Sequence, residues 1–92
     1  MNRVDKQTEK ALMKIASLAK KSAKAWEVTN DGHRSENVRE KAAALHLGYA
    51  ALAEQGAYEN GWTLTWPGLY PTYKNNQGAE FYSADSAIIH GG

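Results

Sequence analysis

Histidine is the commonest metal ligand and general base, and this 92-residue chain has three, His33, His46 and His90. No two of them stand at i, i+4, and neither a cysteine nor a carboxylate pair completes a ligand set. No metal site and no cofactor are expected from that pattern. Tyr70-Pro71-Thr72-Tyr73-Lys74 contains the Tyr-x-x-x-Lys spacing of some nicotinamide enzymes. That chemistry needs both residues on one helix face behind a glycine-rich nucleotide fold, whereas here a proline divides them and no G-x-G-x-x-G occurs. Asp85, Ser86 and His90 supply the residue types of a hydrolytic triad, but no nucleophile elbow or oxyanion donor loop accompanies them. No catalytic residue is assigned, and the chain is read as a non-enzyme.

Two signals for binding remain. Arg3, Lys6, Lys10, Lys14, Lys20, Lys21 and Lys24 fall almost wholly on one side of a helix when residues are placed at steps of about 100°. Such a face can attract an acidic protein surface or track phosphates. Lysine lacks the flat bidentate fork of arginine, which argues against close recognition of phosphates or base edges. The second signal is aromatic: Trp62, Trp66, Tyr70, Tyr73, Phe81 and Tyr82 crowd into the last third of the chain. Phe81 and Tyr82 are adjacent on one strand and must point to opposite faces, so one of them is exposed. The same is expected of one of Tyr70 and Tyr73. Exposed aromatics anchor protein interfaces or stack on bases. The candidate partner-binding residues are therefore Lys6, Lys10, Lys14, Lys21, Lys24, Tyr70, Tyr73 and Tyr82.

Composition changes near Gln55–Gly61, and that change defines the elements that must carry these residues. Residues 1–57 hold most of the charge and read as helical, while residues 58–92 hold seven of the nine aromatics. Val4, Ala11, Leu12, Ile15, Leu18, Ala19, Ser22 and Trp26 form one apolar arc of a helix over Val4–Glu27. Thr29-Asn30-Asp31-Gly32 ends it. Ser35 is a competent cap for a second helix over Ser35–Gln55, with Glu36 in its first turn and Gly56 or Asn60-Gly61 as its stop. Its main arc holds Val38, Ala42, Leu45, His46, Tyr49, Leu52 and Ala53, and a weaker arc holds Ala43, Ala44, Leu47, Ala50 and Ala51. A helix apolar on two sides is expected to be sandwiched. Leu47, Ala50 and Ala51 are the candidates for a two-fold contact, giving a homodimer.

From Gly61 the period becomes two. Trp62–Trp66 alternates strictly, Pro67-Gly68 signals a turn, and Leu69–Lys74 is a second strand that Pro71 makes an edge or a broken one. Asn75-Asn76-Gln77-Gly78 is a hairpin loop before a third strand at Ala79–Ser83, and Ala87–His90 adds a short fourth strand. Trp26, Leu45, Leu52, Trp62 and Leu64 are expected to be buried. The fold class predicted is α+β: a two-helix antiparallel hairpin followed by a small three-stranded antiparallel β-sheet. Residues 1–57 and 58–92 form one domain on this reading.

A domain this small buries only about 60–65% of its unfolded surface, and without cysteine nothing staples it. The formal charge of +1 hides a lopsided distribution, positive over residues 1–27 and negative over 58–92. The first residues lack the apolar run of a secretory signal, and Ala42–Ala53 is too short for the roughly 20 residues of a membrane span. A cytoplasmic protein that does not engage membranes is expected. In size and style the chain is similar to phage and mobile-element accessory proteins, which occlude or adapt a larger macromolecule. The expectation is a non-catalytic protein that modulates or inhibits a protein partner. The alternative is a nucleic-acid-binding protein using the lysines of the first helix and exposed tyrosines.

Overall fold

A computed structural model describes residues 2–92. Two long helices, α1 (Lys6–Thr29) and α2 (Glu36–Glu59), precede three short strands, β1 (Thr63–Thr65), β2 (Thr72–Lys74) and β3 (Glu80–Phe81), and a final helix α3 (Ala84–His90). The fold is α+β, with a three-stranded antiparallel sheet in the order β1-β2-β3.

The helix starts are set by side-chain caps. Asp5 accepts from Thr8 N–H at 2.7 Å, and Ser35 accepts from Val38 N–H at 3.3 Å. The Thr8 amide, pointing at the carboxylate, holds the Asp5 carboxyl below its ordinary value of 3.8. Helix α2 runs through Gly56 and ends at the Asn60 cap, where Gly61 takes φ +77, a conformation that glycine alone adopts freely. Tertiary packing thus overrides the first stop signal. Gly56 faces Ile15 across the helix pair, 3.6 Å from where a Cβ would lie.

The expected fourth strand at Ala87–His90 is instead the helix α3. Ser83 caps it by accepting from Ser86 N–H at 3.1 Å, and Asp85 lies in its first turn. Ala84, Ala87 and Ile88 recur at i, i+3 and i+4, which is the helical period. Ile88 is buried and Ile89 exposed, so the β-branched pair faces two environments. Strand β2 is central, and it begins only after Pro71. Gly68 does not take positive φ. The register Thr65↔Thr72 leaves residues 66–71 as a wide loop where the sequence suggested a tight turn.

The core lies at one end of the hairpin. Val4, Leu12 and Ile15 meet Ala53 and Ala57 of α2, Trp62, Tyr73 and Phe81 of the sheet region, and Ala87 and Ile88 of α3. The rings of Trp62 and Phe81 are 6.2 Å apart and tilted. Leu64 is only half-buried.

The molecule is elongated, 47 × 19 × 17 Å, because the sheet is shorter than the helices. Three residues expected in the core are exposed: Trp26 at 42%, Leu45 at 53% and Leu52 at 54%. Their apolar arcs are real, but Leu45 and Leu52 lie on the side of the helix pair away from loop 66–71, and Trp26 only borders the cleft beside that loop. No helix among the described residues is long and apolar enough to cross a membrane.

Candidate functional site

The chemistry-bearing residues are scattered. His33 is exposed in the turn between the long helices, and His90 is exposed on α3. Asp85, Ser86 and His90 all lie on α3, with Asp85 turned about 100° from Ser86 around the helix axis. Tyr70 stands in the loop before β2, while Lys74 ends that strand, so no helix face joins them. Among the described residues no group of three or more His, Asp or Glu side chains converges.

His46 is half-buried between the helices. Its Nδ1 lies 3.0 Å from the Ser22 carbonyl and 2.8 Å from Ser22 Oγ, while Ser22 Oγ donates to the His46 carbonyl at 3.0 Å. A carbonyl only accepts, so Nδ1 carries the proton and donates to it. Ser22 is wholly buried, and this reciprocal pair locks α1 against α2 at mid-length.

The two long helices leave a groove along one side, lined by helix residues alone. Val28, Val38, Leu45 and Tyr49 form its apolar floor, and Lys21 and Lys24 of α1 with Lys41 of α2 rim a hollow of about 440 Å³. Lys21 Nζ stands 5.9 Å from the centre of the Tyr49 ring, within range of a cation–π attraction. Further along, Lys14 flanks a second hollow of about 340 Å³ with Leu18, Leu52 and Glu59. None of these lysines forms an ion pair among the described residues, where the two present are Arg3–Glu9 and Arg34–Asp31.

The lysine face expected from the helical period therefore splits. Lys14, Lys21 and Lys24 converge on the groove, Lys6 and Lys10 are exposed beyond its hollows, and Lys20 turns to another side. There Lys20 joins Tyr70 and Tyr82 around a hollow of about 470 Å³ that also includes Met13 and Asp85. Tyr70 is 56% and Tyr82 84% exposed. Tyr73 must be withdrawn as a partner contact. It sits on the central strand between Leu64 and Phe81, buried at 3%, and burial raises its phenol above the ordinary value of 10.0.

Of the dimer candidates, Leu47 and Ala51 are exposed on the outer side of α2, but Ala50 is half-buried. It lines a cleft with Trp26, His46 and Trp66. Val28, Val38, Lys41, Leu45 and Tyr49 line the groove without having been candidates for binding from the sequence. All but Val28 belong to α2, and only the pairing of the helices brings them beside Lys21 and Lys24. Comparison with family models, curated proteins and solved structures finds no match for this chain.

Proposed function

We propose that this chain is a non-catalytic binding protein that modulates a larger partner by protein–protein contact through the α1–α2 groove. The observation that carries this reading is the combination found there. An apolar floor on the side of the helix pair away from loop 66–71 is rimmed by three lysines from two helices, and no acidic residue among those described lines the hollow. Large exposed apolar patches mark interaction sites. A rim of one charge selects a partner of the opposite charge and speeds its arrival. The complementary partner element is an acidic amphipathic helix, with its apolar residues on Val28, Val38, Leu45 and Tyr49 and its carboxylates toward the lysines. Lys6 and Lys10 add long-range attraction.

The test is binding of a synthetic helix with leucines at i, i+3, i+4 and i+7 and glutamates between them, measured by fluorescence anisotropy. The reading expects binding to the wild type and its loss in a Lys21→Glu, Lys24→Glu, Lys41→Glu variant. Equal binding to both would remove the groove from the account.

One observation favours the nucleic-acid reading as second choice. Tyr70 and Tyr82, two exposed rings, share a hollow with Lys20, the pairing of stacking surface and cation that single strands use. Binding there would weaken steeply with salt, by a log–log slope of about −0.7 per neutralised phosphate. Tyr70→Ala with Tyr82→Ala would abolish it. A two-fold contact through the outer side of α2 is proposed alongside, on the exposure of Leu47 at 68% and the open space over Gly48.

A further inference from the structure

The side of the hairpin opposite the lysine groove has the reverse chemistry. Loop 66–71 approaches the helix pair there, and between them lies a cleft of about 450 Å³ lined by Trp26, His46, Ala50, Glu54, Trp66 and Leu69. Among the described residues no lysine or arginine lines it. Trp66 Nε1–H donates to Glu54 Oε1 at 2.6 Å, which fixes the indole beside the carboxylate. Glu54 forms no ion pair among the described residues, which also offer no donor to its second oxygen. The Trp26 ring stands 5.2 Å from the His46 ring, tilted by 44°. With His46 Nδ1–H committed to the Ser22 carbonyl, Nε2 is the polar ring atom left without a partner among the described residues.

The cleft thus brings together two indole rings, a carboxylate with a spare oxygen and an imidazole, with no lysine or arginine among the described residues that line it. Indole faces attract cations through the ring quadrupole, and a carboxylate oxygen accepts from N⁺–H. The apolar residues matter as much. His46 and Glu54 are eight residues apart on α2, or about 12 Å along its axis, and Ala50 and Leu69 line the same cleft. That shape suits a charged head on an aliphatic stem, as lysine and arginine side chains provide.

We infer that this cleft binds an aliphatic ammonium or guanidinium group, its head against the free oxygen of Glu54 and its stem along Ala50 and Leu69 toward Trp26. The site is separate from the lysine groove and does not depend on it. Its ligand is either a basic side chain of a polypeptide or a free polyamine, and the chemistry of recognition is shared.

The experiment is a titration of the full chain followed by tryptophan emission, which reports on Trp26 and Trp66 directly. The probes are blocked lysine amide, blocked arginine amide, spermidine, and blocked norleucine amide as the uncharged analogue. Both charged amides should shift the emission saturably, and norleucine amide should not. Glu54→Gln keeps an acceptor for Trp66 Nε1–H and removes the charge, so it should weaken binding by about tenfold or more. Trp26→Leu keeps an apolar wall without the quadrupole and should also weaken it. Spermidine binding far above the amides would assign a polyamine as the source, and comparable binding would assign a basic side chain. Equal response to norleucine amide, an unchanged affinity in Glu54→Gln, or no saturation by any cation would overturn the assignment. The lysine-reversed groove variant should bind these cations at least as well as the wild type, so failure of one reading is visible apart from the other.

Discussion

Gly91→Ala should be among the most damaging small changes in the chain. The residue caps α3 with φ −85, a value open to any amino acid, so the backbone itself presents no obstacle. The obstacle is space. A Cβ on Gly91 would lie 2.5 Å from Cη2 and 3.0 Å from Cζ2 of Trp62, and also against the Ala87 carbonyl oxygen. Carbon–carbon contacts normally settle at about 3.5–4.0 Å. Neither neighbour can yield cheaply. Trp62 is 5% exposed and wedged against Phe81, and the Ala87 carbonyl accepts from Gly91 N–H at 2.8 Å. Overpacking of this kind costs about 1–3 kcal/mol, and with both sides held the upper half of that range applies. At about 4–8 °C per kcal/mol for a domain of this size, Tm should fall by roughly 10–20 °C. Gly48→Ala is the internal control. Nothing lies within 4 Å of its Cβ position, so it should gain about 1 kcal/mol of helix propensity and raise Tm. Thermal unfolding followed by circular dichroism measures both. A Gly91→Ala protein melting within about 2 °C of the wild type, a difference worth under about 0.5 kcal/mol, would refute the packing argument.

Three further outcomes follow from the same structure. Burial raises the Tyr73 phenol, so the unfolded chain loses that proton first, and stability should decline as pH rises from 10.0 through the folded-state value; phenolate absorbance should show a late step that Tyr73→Phe removes. Asn75 is buried, donates to the Gly91 carbonyl at 3.2 Å and accepts from Gln77 and Ala79 N–H at 3.0 and 2.9 Å, so Asn75→Ala should cost about 1–3 kcal/mol in urea unfolding. If copies pair through the outer side of α2, Ala51→Glu should split the dimer seen by light scattering at micromolar concentration and remove the concentration dependence of Tm, and a monomeric wild type would end that proposal.

The long helices and three strands were legible because their apolar residues recur at 3.6 and at 2, although the second helix was expected to end at Gln55 and instead runs on to Glu59. Helix α3 was hidden by Ile88-Ile89, whose β-branched side chains suggest a strand, although Ser83 three residues before Ser86 is a helix cap. The exposure of Trp26, Leu45 and Leu52 was not legible at all. Periodicity tells which residues share a face, not which side of a helix pair the rest of the chain covers. The same limit hid the groove, since Lys41 and Tyr49 acquire meaning only once α2 lies antiparallel to α1. Likewise His46, placed by its period on the main apolar arc of the second helix, became part of a cleft wall only with Trp66 and Leu69 in place.

The central claim is that the lysine-rimmed groove engages a protein. Affinity capture from a native lysate treated with nuclease, run in parallel on the wild type and on the Lys21→Glu, Lys24→Glu, Lys41→Glu variant, tests it most directly. The groove account predicts a protein retained by the wild type and absent from the variant, with both chains melting at nearly the same temperature because exposed charges add little to stability. A protein retained equally by both, or material that nuclease removes entirely, would contradict it.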